Sequence, residues 1–201
     1  MSKTIEFIFD FASPNAYLAR AVLTPIAEKH GATIRYIPCL LGGIFKLTGN
    51  SAPFVAFGPI KGKLDYEMLE MRRFITAHGL TRYRMNPHFP INTLHIMRGL
   101  VAAQRLGIAE AYMDVILTAM WEDGANLGDP VVIAQTLAAG GLDSTTILET
   151  SQSQPVKDEL AANTEAAVAR GVFGVPSFFV GDELFFGKER IGQIDALLAE
   201  G

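Results

Sequence analysis

The sequence predicts an α/β protein in which a small mixed β-sheet is interrupted by a block of helices. Three observations predict it: a strand–helix–strand opening, a long helical middle, and a β-hairpin followed by a helix at the end. The 201 residues are 49% hydrophobic, and a chain of this length buries enough surface to need no disulfide or metal for stability. We therefore expect one compact unit that carries a helical insert.

The opening segment alternates between strand and helix signals. Residues Ile5–Phe11 are β-branched and aromatic, which is typical of a buried strand. Ser13 at the N-cap and Pro14 at the first helical position predict the start of a helix over Asn15–His30. Thr33–Ile37 predicts a second strand, which a right-handed crossover would place parallel to the first.

The middle of the chain begins with a segment rich in Gly and Pro, Pro38–Gly62. It predicts a long irregular loop, and such loops are uncommon unless they serve a site. Apolar residues at helical spacing then predict a series of helices: Lys63–His78, Thr93–Leu106, Ala109–Trp121, Pro130–Ala139, Ser144–Glu149 and Pro155–Arg170.

The end of the chain returns to β-structure. Ser177–Val180 and Glu183–Phe186 predict two strands, because the Gly181–Asp182 pair between them is a strong two-residue hairpin turn. Arg190–Ala199 predicts the closing helix.

Charge and composition exclude several classes of protein. Seventeen basic against 21 acidic residues give a net charge of −4, which argues against a nucleic-acid-binding protein with its cationic face. No apolar run is long enough to predict a membrane span, and the N-terminus lacks the pattern of a signal peptide. The single cysteine, Cys39, excludes an intrachain disulfide and a two-cysteine redox cycle. We expect a cytoplasmic protein.

Ser13 is the first candidate site residue. It has a purely local explanation, since Ser-Pro is a common helix start. Its position also suggests a ligand-binding role, because open α/β sheets bind ligands where a strand is followed by the N-terminus of a helix. The free N–H groups and the helix dipole there favour an anion such as a thiolate. A serine hydroxyl can donate a further hydrogen bond to that anion, although it cannot itself cycle between thiol and disulfide.

The second candidate is the Val175–Pro176 pair just before the third predicted strand. Either the proline begins an edge strand, or the bond is cis and lies beside a site. The sequence leaves the isomer open. A cis bond would leave the Val175 N–H and C=O unpaired in the sheet and able to bind an extended peptide.

The third candidate is the segment FGKER at residues 186–190. It is either a solvated turn or a site in which Glu189 holds the ammonium group of a ligand. It is not a phosphate-binding loop, because Lys188 is followed by Glu rather than by Ser or Thr. We predict no metal site, since the histidines are not at ligand spacing, and Cys39 has the setting of a structural cysteine.

Taken together, these motifs resemble the 2-hydroxychromene-2-carboxylate isomerases, which are related to the kappa-class glutathione transferases. The resemblance is carried by FASPNAYLA at 11–19, VFGVPSFF at 172–179 and FGKER at 186–190, with KLDY at 63–66 and NPHFP at 86–90 between them. It implies a thioredoxin-like fold of the DsbA type with a large all-helical insertion, and a homodimer. The thioredoxin-like domain would comprise residues 1–62 and 155–201, and the insertion residues 63–154.

The resemblance also implies roles for individual residues. Ser13 would stabilise the thiolate of bound glutathione, and Val175, beside Pro176, would pair with the backbone of its cysteine. The turn that would hold the γ-glutamyl end comprises Phe186, Gly187, Lys188 and Glu189. Asn50 matches an asparagine near the thiol, and Lys46 and His88 fall beside family positions that line the pocket of an aromatic second substrate. The family's turn usually reads Gly-Asn-Asp-Arg, so Lys188 replaces an amide while Glu189 keeps the carboxylate, and the Asn50–Lys61 loop also differs.

The function implied is a glutathione-dependent isomerase of aromatic degradation, which converts 2-hydroxychromene-2-carboxylate to trans-o-hydroxybenzylidenepyruvate. Two alternatives stay open. One is a kappa-like glutathione transferase that keeps the thioether product, and the other is a redox-inactive DsbA-like module that binds peptides through the Val175–Pro176 edge. A dithiol oxidoreductase is excluded, because residues 13–16 read SPNA where two cysteines would be needed.

Overall fold

Four strands form one mixed sheet at the centre of the fold. A computed structural model describes residues 3–200 of the chain. The strands are β1 (Thr4–Phe9), β2 (Thr33–Pro38), β3 (Ser177–Val180) and β4 (Glu183–Phe186). Their spatial order is β2-β1-β3-β4, with β1 and β2 parallel and both remaining pairs antiparallel. The predicted mixed sheet is confirmed.

Helices fill the space around the sheet and the whole interval between β2 and β3. They are α1 (Pro14–Lys29), α2 (Leu41–Thr48), α3 (Pro53–Ala56), α4 (Lys63–Ala77), α5 (Leu94–Arg105), α6 (Ala109–Trp121), α7 (Pro130–Ala139), α8 (Ser144–Ser151), α9 (Gln154–Ala169) and α10 (Ile191–Glu200), with a 3-10 turn at Lys188–Arg190. The predicted helical block is confirmed. Within residues 3–200, no helix is both long enough and apolar enough to cross a membrane.

The predicted irregular loop over Pro38–Gly62 is wrong, because α2 and α3 lie within it. Residues distant in sequence stabilise α2. The Leu41 N–H donates to Asp10 Oδ2 at 2.7 Å, and the Leu40 N–H donates to Thr164 Oγ1 at 3.0 Å. Gly43 permits the close packing on α9, since a Cβ there would lie 3.1 Å from Thr164 Cγ2. Gly43, one of the glycines that predicted a loop, therefore permits tight helix packing.

Aromatic side chains of β1 form the centre of the core. Phe7 and Phe9 are fully buried, and the ring centroids of Phe7 and of Phe178 on β3 lie 4.6 Å apart. The strand ends at Phe9 rather than at the predicted Phe11, because the chain turns there and the Ser13 N–H donates to Asp10 O at 3.2 Å. This turn places Ser13 at the N-cap of α1.

Candidate active site

Ser13 joins the N-terminus of α1 to the Val175–Pro176 corner. Its hydroxyl accepts a hydrogen bond from the Ala16 N–H at 3.2 Å and donates one to Val175 O at 3.1 Å. The predicted N-cap is therefore confirmed, and the side chain is only 5% exposed. The hydroxyl lies where the first turn of a helix and the corner before β3 meet.

Two backbone donors at this junction are free. The hydrogen bonds within residues 3–200 include none from the Asn15 N–H or the Val175 N–H. Free N–H groups in the first turn of a helix, together with its dipole, attract an anion. The Val175–Pro176 bond is cis, which answers the question that the sequence left open. The Val175 carbonyl accepts the hydrogen bond of the Ser13 hydroxyl, and the Val175 N–H is left for a ligand.

The turn at residues 186–190 adjoins the same corner. The Gly187 N–H donates to Pro176 O at 2.9 Å. Gly187 has a φ of 90°, and a Cβ there would lie 2.9 Å from Glu189 Oε2. The Glu189 carboxylate therefore lies against the backbone of this turn, and glycine leaves the room for it. The Glu189 side chain is 52% exposed, so its carboxylate is accessible to a ligand.

Lys188 does not fit the solvated-turn alternative for this segment. It is only 4% exposed, its ammonium is paired with the Glu189 carboxylate, and Nζ lies 5.2 Å from the centroid of the Phe74 ring on α4. The sequence left a solvated turn and a ligand site open for this segment, and the Phe74 ring, more than a hundred residues earlier in the chain, lies over the ammonium. The segment therefore contains a buried cation.

The remaining predicted site residues lie on exposed segments. Asn50 donates from Nδ2 to Phe173 O at 2.8 Å, which places it beside the segment that leads to Val175. Lys46, in the last turn of α2, and His88 are both exposed. No hydrogen bond or ion pair within residues 3–200 connects their side chains to Ser13 or to the corner. The structure thus brings Ser13, Asn50, Val175–Pro176 and the 186–189 turn together and leaves Lys46 and His88 unconnected to them.

Sequence reasoning missed Asp10, which is buried directly before the Ser13 loop. Its carboxylate accepts hydrogen bonds from the Ala12 N–H at 2.9 Å, the Leu41 N–H at 2.7 Å and the Thr93 hydroxyl at 2.7 Å. Burial raises the pKa of Asp10 to about 6, against these hydrogen bonds. An acidic residue at the end of an apolar strand was the signal that could have revealed it. Asp10 fixes the backbone that presents Ser13.

Cys39 is buried, and burial raises the pKa of its thiol to about 12. The prediction of a structural cysteine is confirmed, because Cys39 is fully buried in the core.

Comparisons with known proteins identify the family of this chain. A family model described as a DSBA-like thioredoxin domain matches residues 4–199. The 2-hydroxychromene-2-carboxylate isomerase of Pseudomonas putida is 30% identical over 199 residues, 96% of this chain and 93% of the relative. The glutathione S-transferase kappa 1 of Homo sapiens is 25% identical over 218 residues, 100% of this chain and 92% of the relative.

A solved structure of 2-hydroxychromene-2-carboxylate isomerase superimposes with a TM-score of 0.84 at 28% identity, covering 98% of this chain and 95% of that one. The thioredoxin-like fold with a helical insertion, which the resemblance implied, is confirmed. Family model, relatives and fold agree over nearly the full length, and the chain belongs to the DsbA-like thioredoxin family.

Proposed function

We propose that this protein is a glutathione-dependent isomerase that converts 2-hydroxychromene-2-carboxylate to trans-o-hydroxybenzylidenepyruvate. The observation that carries the proposal is the Ser13 hydroxyl at the start of α1, 3.1 Å from the Val175 carbonyl and beside the free Val175 N–H. The names of the isomerase relatives support this reaction type.

The residues of the junction fit the chemistry of glutathione. The free Val175 N–H is a partner for the carbonyl of an extended peptide. The half-exposed Glu189 carboxylate suits the γ-glutamyl ammonium group, and Ser13 suits the sulfur. When bound, glutathione would supply a thiol that adds to a conjugated carbon–carbon double bond, permits rotation about the resulting single bond, and leaves unchanged.

The environment of Ser13 can keep a sulfur ionised. A free thiol has a pKa near ~8.5, and lowering it by ~2 units requires about 2.7 kcal/mol of preference for the anion. A helix N-terminus contributes ~0.3–1 kcal/mol, and a hydroxyl that donates to a charged acceptor contributes ~1.5–3 kcal/mol. The Ser13 hydroxyl can rotate about its Cβ–Oγ bond, so the proton now directed at Val175 O can be redirected to the sulfur.

Aromatic side chains near the junction suit an aromatic second substrate. Phe173 and Phe186 are each 42% exposed and lie next to the corner, with their ring centroids 4.5 Å apart. We keep Lys46 and His88 as proposed contacts of the second substrate, since both are exposed and free to reach a carboxylate or a hydroxyl.

The proposal is tested by incubating the protein with the chromene acid, with and without glutathione. We expect isomerisation that requires glutathione and leaves its concentration unchanged. Stoichiometric loss of glutathione into a conjugate would instead favour a transferase, which the relatives named glutathione S-transferase kappa 1 make the second candidate. If neither reaction occurs and the protein binds extended peptides, the result would favour the peptide-binding module.

Glu189→Gln should weaken glutathione binding by roughly 10-fold, because an ion-paired hydrogen bond to an ammonium is worth about 1.5 kcal/mol or more. Isothermal titration with glutathione measures the change. Glu183→Gln, on the strand β4 that precedes this turn, is the control, since it removes the charge of another exposed glutamate. Equal affinities of the two variants would contradict the assigned role of Glu189.

A further inference from the structure

We propose that Tyr17 and Glu122 position Ser13, so that the end of α6 in the helical insertion holds the turn beside which the sulfur would bind. This inference rests on the proposed function, because it concerns the same thiolate. Both residues are positioning residues, since they would act through the first turn of α1 rather than through a contact with glutathione.

The end of α6 forms hydrogen bonds on both sides of Ser13. Trp121 Nε1 donates to Phe11 O at 3.1 Å, two residues before Ser13. The Tyr17 hydroxyl donates to Glu122 Oε1 at 2.9 Å, four residues after Ser13 and thus about one helical turn along α1. Two consecutive residues at the end of one helix therefore hold the Ser13 turn before and after its N-cap.

The hydrogen bond between Tyr17 and Glu122 is shielded from water. The Glu122 side chain is 12% exposed, and its Oε2 is buried 2.5 Å from Arg82 Nη2 without the alignment of a hydrogen bond. Within residues 3–200, the hydrogen bond that this carboxylate accepts thus comes from Tyr17. Burial and the neighbouring carboxylate raise the pKa of the Tyr17 hydroxyl, so the hydroxyl stays a donor near neutral pH. Hydrogen bonds to charged acceptors are stronger than neutral ones.

A cavity interrupts the packing of α1 on α6 beside this hydrogen bond. Its volume is about 350 Å³, and its lining includes Tyr17 and Arg20 of α1 and Asp114 and Glu122 from the α6 side. Across the same cavity, two turns after Ser13, Arg20 pairs with Asp114 at 2.7 Å. Because side chains leave this space unfilled, polar contacts fix the spacing of the two helices here. The bond from Tyr17 to Glu122 is the one of these two contacts that lies closer to Ser13.

The end of α6 is itself firmly held. The Arg84 N–H donates to Trp121 O at 2.6 Å. The buried Asn86 donates from Nδ2 to Met120 O at 2.8 Å and to Ala125 O at 2.9 Å. These bonds satisfy carbonyl groups that the end of a helix leaves free. A functional group is held in place only when the residues that support it are themselves fixed, and the end of α6 meets this condition.

The experiment measures the pKa of the thiol of bound glutathione, from thiolate absorbance in the ultraviolet at saturating glutathione. Tyr17→Phe removes the donor and keeps the ring. It should raise the thiol pKa by about 0.5–1 unit, because the Ser13 hydroxyl remains but is held less firmly. Near neutral pH the thiolate fraction should then fall by about 3- to 10-fold. Glu122→Gln keeps an oxygen that can accept from Tyr17 and should retain the thiol pKa of the wild type.

Asp114→Asn is the matched control. It removes a charge that ties the same two helices across the same cavity, two turns from Ser13 rather than one. This variant should leave the thiol pKa unchanged. Urea unfolding of each variant separates a loss of stability from a loss of positioning.

Three results would overturn this inference and leave the proposed function standing. An unchanged thiol pKa in Tyr17→Phe would show that the hydrogen bond supports only the fold. A lower thiol pKa in Glu122→Gln would show that the charge of Glu122, rather than its hydrogen bond, acts on the sulfur. An equal rise in Asp114→Asn and Tyr17→Phe would assign the effect to the helix pair as a whole.

A fourth result has a different meaning. Absence of saturable glutathione binding by the wild type would overturn the proposed function, and this inference with it.

Discussion

Ser13→Ala should raise the pKa of the bound glutathione thiol by about 1–2 units, because a hydroxyl that donates to an anion contributes ~1.5–3 kcal/mol and each pKa unit corresponds to about 1.36 kcal/mol. The smaller thiolate fraction should slow isomerisation at neutral pH by about 3- to 30-fold. Raising the pH above the new pKa should restore much of the rate. Thiolate absorbance in the ultraviolet, followed against pH at saturating glutathione, measures the shift directly.

The same substitution removes a helix cap, since Ser13 Oγ accepts from the Ala16 N–H. Loss of a cap costs about 1 kcal/mol of stability, so a control must separate the two effects. Asp143→Ala removes the cap of α8, where Asp143 Oδ1 accepts from the Thr146 N–H at 3.0 Å, and should leave the thiolate pKa unchanged. Ser13→Thr keeps a hydroxyl and should keep most of the pKa shift. A thiolate pKa that is the same in Ser13→Ala and the wild type would remove the proposed role of Ser13.

The features predicted well from the sequence are those with local causes. Ser13 and Pro14 specify the start of α1 through a side chain and a ring that act within one helical turn. The Gly181–Asp182 turn sets the register of the β3–β4 hairpin in the same way. The family motifs then placed residues 175–176 and 186–189 at one site, which the observed hydrogen bond from Gly187 to Pro176 supports.

The features predicted poorly depend on contacts between distant residues. Gly42 and Gly43 indicate a loop by local preference, but α2 forms because Asp10 and Thr164 accept hydrogen bonds from its first residues. The burial of Lys188 depends on Phe74 of α4. Periodicity within a segment contains no information on such contacts, and the same reason explains why Asp10 was missed.

As the pH falls, the wild type should gain stability relative to an Asp10→Asn variant. The pKa of Asp10 is raised from 3.8 to about 6 in the folded protein, so the folded state binds the proton more tightly than the unfolded state. The resulting stabilisation is fully present below the unfolded pKa and is lost as the pH rises through about 6. We expect the difference in free energy of unfolding to grow by roughly 2–3 kcal/mol between about pH 7 and about pH 4.

Asp10→Asn should also be less stable than the wild type throughout this range. The carboxylate accepts hydrogen bonds from two backbone N–H groups and one hydroxyl. In the asparagine variant an amide NH₂ group would replace one of the oxygens, so one donor of the site would meet another donor instead of an acceptor. An unsatisfied buried donor costs about 1–3 kcal/mol. Urea unfolding of both proteins across the pH range measures the two effects together.

Asp143→Asn is the control with the opposite sign. Hydrogen bonds from the Thr146 N–H and hydroxyl lower the pKa of Asp143, so its contribution is present above its unfolded pKa and is lost as the pH falls through the folded value. The difference between the wild type and Asp143→Asn should therefore shrink towards low pH, while that for Asp10→Asn grows. Two flat differences would mean that neither carboxyl has a shifted pKa. Opposite pH slopes of the two differences would show that burial raises the pKa of Asp10, the carboxyl that holds the turn before Ser13 in place.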